Sequence, residues 1–141
     1  LQQLKKYEKA LKSYNRNLRL DQTNLNALNN KGVVLKNLER YEEALECLDK
    51  VLELDPNKIE AIANKGLTFK ELGKFQEYLN CFNKVLELDP NNRTGWYNKG
   101  IALDKLEKQE EALKCLDTAL KLDSNFEQAK KAKKKILSSI S

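Results

Sequence analysis

Histidine and methionine are both absent from this chain of 141 residues, tryptophan occurs once and proline twice. Without histidine there is no usual general base, no usual nitrogen ligand for a metal and no centre for a hydrolytic triad. No apolar stretch approaches the roughly 18 residues that a membrane-spanning helix requires, and a third of the side chains are charged. The opening Leu1-Gln2-Gln3-Leu4-Lys5-Lys6 has no hydrophobic run behind its charges, so no secretory signal is readable. Lacking an initiator methionine, the chain reads as a segment of a longer protein. Neither glycine pattern that cradles phosphate is present, and no alternating strand pattern or hairpin turn appears. Acidic pairs such as Glu42-Glu43 and Glu110-Glu111 fall at helix starts, where they favour the helix dipole, rather than in a cleft. These absences point away from an enzyme, and no cofactor or metal is expected.

Cysteine is sparse, and its placement is regular: Cys47, Cys81 and Cys115 lie 34 residues apart. One thiol per packed helix pair puts neighbours about 10 Å apart, too far for a disulfide or a shared tetrahedral metal. Small, partly buried residues in a reducing, cytoplasmic setting are expected. The net charge of +5 is also local, because Glu127–Ser141 holds five lysines against one glutamate. The rest of the chain is nearly balanced, which argues against a nucleic-acid surface or a membrane-binding one.

What is abundant is repetition. Asn30-Lys31-Gly32 returns as Asn64-Lys65-Gly66 and Asn98-Lys99-Gly100, and residues 25–58 share 17 of 34 positions with residues 59–92. Each unit holds two helical patterns. The first carries Leu28, Gly32, Leu35 and Leu38, then Ile62, Gly66, Phe69 and Leu72, then Trp96, Gly100, Leu103 and Leu106. A break follows at Glu39-Arg40, Gly73-Lys74 and Glu107-Lys108, where Gly73 suits a left-handed cap. The second helix ends at Leu54-Asp55-Pro56-Asn57, Leu88-Asp89-Pro90-Asn91 or Leu122-Asp123-Ser124-Asn125. Short connections make neighbouring helices antiparallel, and the fold class is all-α.

The expected organisation is a second helix of a truncated repeat in residues 1–24, repeats at 25–58, 59–92 and 93–126, and a capping helix at 127–141. Phe126, Ala129, Ala132, Ile136, Leu137 and Ile140 form the apolar stripe of that last helix, with Lys130, Lys131, Lys134 and Lys135 largely off it.

These residues resemble the tetratricopeptide repeat (TPR) family. That family places a large residue fourth (Leu28, Ile62, Trp96), glycine eighth (Gly32, Gly66, Gly100), alanine twentieth (Ala44, Tyr78, Ala112), an aromatic twenty-fourth (Leu48, Phe82, Leu116) and proline thirty-second (Pro56, Pro90, Ser124). Tyr78 departs from the pattern, and a phenol at the closest contact predicts a widened or rotated pair, or a ring that escapes to the edge. The resemblance implies a right-handed superhelical solenoid of antiparallel helix pairs whose first helices line a concave groove. It also implies a non-catalytic adaptor or scaffold that takes a protein or peptide ligand.

Carried onto this chain, the groove positions are Asn26, Asn29, Asn30, Val33, Lys36 and Asn37 in the first repeat. The second gives Glu60, Ala63, Asn64, Leu67, Lys70 and Glu71, and the third Thr94, Tyr97, Asn98, Ile101, Asp104 and Lys105. Asn30, Asn64 and Asn98 predict a ladder of amides that hold a peptide main chain, beside an apolar strip of Val33, Leu67 and Ile101. Lys36, Lys70 and Lys105 balance Glu60, Glu71 and Asp104, so the floor has no expected net sign. Lys31, Lys65 and Lys99 are expected to pack their stems between units and send their charges to the rim. The family's clamp for a C-terminal carboxylate is not reproduced, since only the asparagine at Asn64 matches it. The alternative role is weak homo-oligomerisation through an open N-terminal face of Leu11, Tyr14 and Leu18.

Overall fold

A computed structural model describes residues 2–140, and among them every regular element is an α-helix. In order these are α1 (Gln2–Leu20), α2 (Leu25–Asn37), α3 (Tyr41–Leu54), α4 (Ile59–Glu71), α5 (Phe75–Leu88), α6 (Arg93–Lys105), α7 (Gln109–Leu122) and α8 (Glu127–Ile140). The chain divides into two compact units, residues 1–68 and 69–141, with the division inside α4.

The two kinds of turn have local causes. After α2, α4 and α6 the backbone enters the left-handed region at Glu39 (φ 61°), Gly73 (φ 73°) and Glu107 (φ 63°). The next amide then reaches back to an unsatisfied helix carbonyl: Arg40 to Leu35 at 2.8 Å, Lys74 to Phe69 at 2.9 Å and Lys108 to Leu103 at 2.8 Å. After the second helices an aspartate closes the turn. Asp55 accepts the Asn57 N–H at 3.3 Å and Asp123 that of Asn125 at 3.1 Å, as Asp21 does for Thr23 at 3.0 Å. Asn24 and Asn92 then cap α2 and α6 by accepting from Ala27 and Gly95.

In residues 1–68, α2 packs against both α1 and α3. A Cβ on Gly32 would lie 2.9 Å from Leu48 Cγ, so only glycine admits this crossing. Around it Leu28, Leu48, Val51 and Ala61 form one buried cluster, and Leu35, Ala44 and Cys47 another. Leu18 packs on the first and Leu11 on the second. The expected open N-terminal face is therefore corrected: those leucines are half-buried on this core, and the large apolar side chains that α1 leaves exposed are Leu4 and Leu20, at 46% and 84%. Lys65 on α4 reaches back to Asp49 on α3 at 2.7 Å, so this lysine is spent on packing between helices.

In residues 69–141, α6 touches α5, α7 and α8. Gly100 repeats the crossing, since a Cβ there would lie 3.0 Å from Leu116 Cγ. Gly95 serves a second close approach, with Leu86 Cδ2 2.9 Å from where its Cβ would be. Lys133 on α8 pairs with Asp117 on α7 at 2.7 Å, the same spacing along the chain as Lys65 and Asp49. Ala129 and Ile136 of α8 are buried, but Leu137 and Ile140 are 47% and 51% exposed, so the expected stripe is only partly covered.

Tyr78 does not escape to the edge. It is fully buried, meets Phe82 edge-on at 5.4 Å, and donates its hydroxyl to Asn98 Oδ1 at 2.6 Å. The ring is tolerated because a polar partner on α6 meets its hydroxyl inside the core.

Tyr78→Phe strands Asn98 Oδ1 and is expected to lower the unfolding free energy by about 1–3 kcal/mol in urea titrations. Burial, with a smaller contribution from Tyr97, raises the Tyr78 pKa above its ordinary value. The folded state thus keeps a proton that the unfolded chain gives up near pH ~10. The stabilisation is intact below that pH and is lost as pH rises above it, and Tyr78→Phe should flatten the alkaline decline. Glu39→Gly and Glu107→Gly relieve left-handed strain of about 1–2 kcal/mol, offset in part by a more flexible unfolded chain. Each should raise stability by about 0.5–1 kcal/mol, and a loss in either case would contradict the backbone assignment.

Candidate functional site

The first helices carry the residues of interest, and the crossing decides which of them meet solvent. The eighth residue of each unit is buried (Gly32, Gly66, Gly100), while the ninth (Val33, Leu67, Ile101) is partly exposed. A helix turns about 100° per residue, so the residue after the crossing is aimed sideways from it.

In residues 1–68 this face is polar and uneven. Asn26, Asn30 and Asn37 are exposed, and Lys36 is half-buried. Asn29 is 6% exposed and accepts the Asn64 Nδ2 hydrogen at 3.1 Å, tying α2 to α4. Asn29 is therefore a contact between first helices and not a free groove residue. Asn37 stands apart, beside α1 in an open cavity of about 330 Å³ shared with Leu4, Tyr7, Leu38 and Glu39.

In residues 69–141 the expected ladder fails at Asn98, which is 5% exposed. Its carbonyl takes the Tyr78 hydroxyl and its amide donates to the Thr94 carbonyl at 3.0 Å. Both halves of the side chain are engaged in the core, so Asn98 has no amide to give a ligand. The three asparagines thus have three fates: Asn30 exposed, Asn64 engaged with its neighbour, Asn98 buried. Tyr97 is half-buried against Phe126 at 5.3 Å, where it helps seat α8, and burial raises its pKa. Lys99 lies over the Trp96 ring at 5.5 Å.

Four of the expected groove positions, Lys70, Ile101, Asp104 and Lys105, do converge. They line an open cavity of about 210 Å³ together with Ala132, Lys135 and Ile136. The last three come from α8, which sequence reasoning assigned only to capping. The missed signal was phase: Ala129 lies 34 residues beyond Gly95, as Ala61 lies 34 beyond Ala27, so α8 keeps the register of a first helix.

Burial pushes the thiols of Cys47 and Cys115 above their ordinary range, against partial opposition from Lys31 and Lys50 at Cys47 and Lys99 at Cys115. Such thiols are poor nucleophiles. Among the described residues no three carboxylates or thiols gather as a metal site would need, and no helix is long and apolar enough to cross a membrane.

No curated protein matches this sequence. Among solved structures, the first TPR of Spaghetti (RPAP3) bound to the HSP90 peptide SRMEEVD is 26% identical, with a TM-score of 0.79 over 85% of this chain and 95% of its own. The first TPR domain of human RPAP3, solved by NMR, is also 26% identical, with a TM-score of 0.78 over 82% of this chain and 91% of its own. MamA 41-end from Desulfovibrio magneticus RS-1 shares the fold at 23% identity, with a TM-score of 0.77 over 94% of this chain and 84% of its own. Models of the tetratricopeptide repeat match residues 25–58, 59–92 and 94–126. The glycine crossings and the 34-residue register are thus those of a known architecture, and the chain belongs to the tetratricopeptide repeat family.

Proposed function

We propose that this chain is a non-catalytic, cytoplasmic protein-interaction module whose repeats, at 25–58, 59–92 and 93–126, take a peptide or helix on the outward faces of their first helices. One observation carries the reading: Val33, Leu67 and Ile101, each at the same place in its repeat, are left partly exposed beside a buried glycine. Aliphatic side chains recurring on the surface at a fixed interval gain little for the fold and mark a contact surface. The RPAP3 domain, which holds an HSP90 peptide, supports a peptide as ligand.

Residues 1–68 contribute Asn26, Asn30 and Val33 on α2 with Asn64 and Leu67 on α4. Residues 69–141 contribute Lys70, Ile101 and Lys105. Asn30 is the amide best placed to bond a peptide main chain, because its neighbours leave it exposed.

Selection of a random peptide library on the immobilised chain tests this. Selected peptides should bind with affinities of about micromolar, as a small contact area implies. The triple change Val33→Ser, Leu67→Ser and Ile101→Ser should weaken them at least tenfold while circular dichroism stays unchanged. Peptides that bind the triple variant equally well would refute the reading. Asn30→Ala should weaken binding at unaltered stability. Asn98→Ala instead strands the buried Tyr78 hydroxyl and should cost about 1–3 kcal/mol of stability.

A further inference from the structure

We infer that the face shared by α6, α8 and the last turn of α4 is a docking subsite for a peptide segment that pairs an acidic side chain with an aliphatic one. This inference rests on the first helices being the ligand-bearing surface. It adds that α8 supplies part of the site and that the preferred ligand is acidic.

The cavity has two parts of different chemistry. Its floor is apolar, made by Ile101, Ala132 and the buried Ile136. Its rim holds Lys70, Lys105 and Lys135, from three separate helices, against a single acid, Asp104. The charge that was balanced along the first helices is already positive here, with Lys70 and Lys105 against Asp104, and Lys135 from α8 adds a further positive charge. Among the described residues none of these lysines is ion-paired, whereas Lys133, two residues before Lys135, is held by Asp117. Lysines that served only to solvate α8 would face outward from it. Lys135 instead converges with two like charges from other helices, an arrangement that an incoming carboxylate relieves.

Size and composition narrow the occupant. At about 210 Å³ the cavity lies below the ~300–1,000 Å³ of small-molecule sites, and it has room for one aliphatic side chain. No aromatic ring lines it, so it offers no platform for stacking a nucleobase. A peptide whose aliphatic residue enters the floor, with a carboxylate next to it among the lysines, satisfies both parts together.

The test uses fluorescein-labelled ten-residue peptides in a glycine–serine background, with Glu-Leu-Glu, Gln-Leu-Gln, Lys-Leu-Lys or Glu-Ala-Glu at the centre. Anisotropy and amide chemical-shift mapping on the full chain, up to millimolar peptide, read the result. The Glu-Leu-Glu peptide should bind at least tenfold tighter than the Gln-Leu-Gln peptide, lose affinity with added salt, and shift the amides of Ile101, Ala132 and Ile136. The Lys-Leu-Lys and Glu-Ala-Glu peptides should both bind more weakly. Lys105→Glu and Lys135→Glu, both at exposed positions, should each reduce Glu-Leu-Glu binding about tenfold with unchanged circular dichroism, and Asp104→Asn should increase it. If the neutral or basic peptide shifts the same amides as strongly, the acidic preference is overturned and the interaction surface stands. If Glu-Leu-Glu shifts none of them, the subsite is overturned. If library-selected peptides also map away from every first helix, the broader proposal falls with it.

Discussion

The contact between a glycine on one helix and a leucine on the next governs everything else in these repeats. Gly32 against Leu48 and Gly100 against Leu116 leave no room for a methyl group, so each first helix lies directly on its second. That closeness buries Leu35, Ala44 and Leu48 in one pair and Leu103, Ala112 and Leu116 in the other. Each buried leucine among them contributes about 1.5–3 kcal/mol, which offsets the intrinsic weakness of glycine inside a helix, about 1 kcal/mol. The same contact fixes the rotation of the first helix. Once the eighth residue is pinned at the crossing, the ninth is turned partly outward, and the outward surface of the helix is no longer free to vary.

The periodic part of this structure was legible in the sequence, because periodicity is a property of single positions. Helix ends, turn aspartates and crossing glycines each act through neighbours a few residues away or through a partner at a fixed offset. The site was less legible, because it depends on pairs of positions that do not repeat. Asn30, Asn64 and Asn98 are one residue type at one repeat position, yet their environments differ. Asn64 meets Asn29, where the later repeats have Ala63 and Tyr97. Asn98 meets Tyr78, where the other repeats have Ala44 and Ala112. The departure at Tyr78 was visible, and its consequence could have been reached: a buried phenol needs an acceptor, and the sixth residue of the following repeat offers one.

The lysine at the seventh position shows the same logic applied to charge. Lys65 and Lys133 reach Asp49 and Asp117 on the preceding helix. Where that partner is Asn15 or Asn83 no such pair forms, and Lys99 lies over Trp96 instead. Half-exposed pairs of this kind contribute modestly, about 0.2–1 kcal/mol, but they hold the charge between helices and away from the outward face. The pair at Lys133 also identifies α8 as a first helix in register. Lys134 then stands where the other first helices have glycine, so a helix approaching α8 as α7 approaches α6 would meet a long side chain at the crossing. Leu137 and Ile140 are exposed, at positions equivalent to the buried or half-buried Leu103 and Leu106.

This separation of roles bears on how the charge at the α6–α8 cavity should be understood. The fold places its structural lysines in pairs or over a ring, and it places Lys70, Lys105 and Lys135 around an apolar floor with one aspartate between them. In water, at exposed or half-exposed sites, their mutual repulsion is screened within about 8 Å at physiological ionic strength. It therefore costs the folded state little and gives it nothing in return. When a ligand covers the floor and excludes water, the same charges act through a lower dielectric and their interaction with a carboxylate strengthens. Charges that are weak in the free protein and strong in a covered site contribute selectively to binding, which is why their arrangement is informative about a ligand and uninformative about stability.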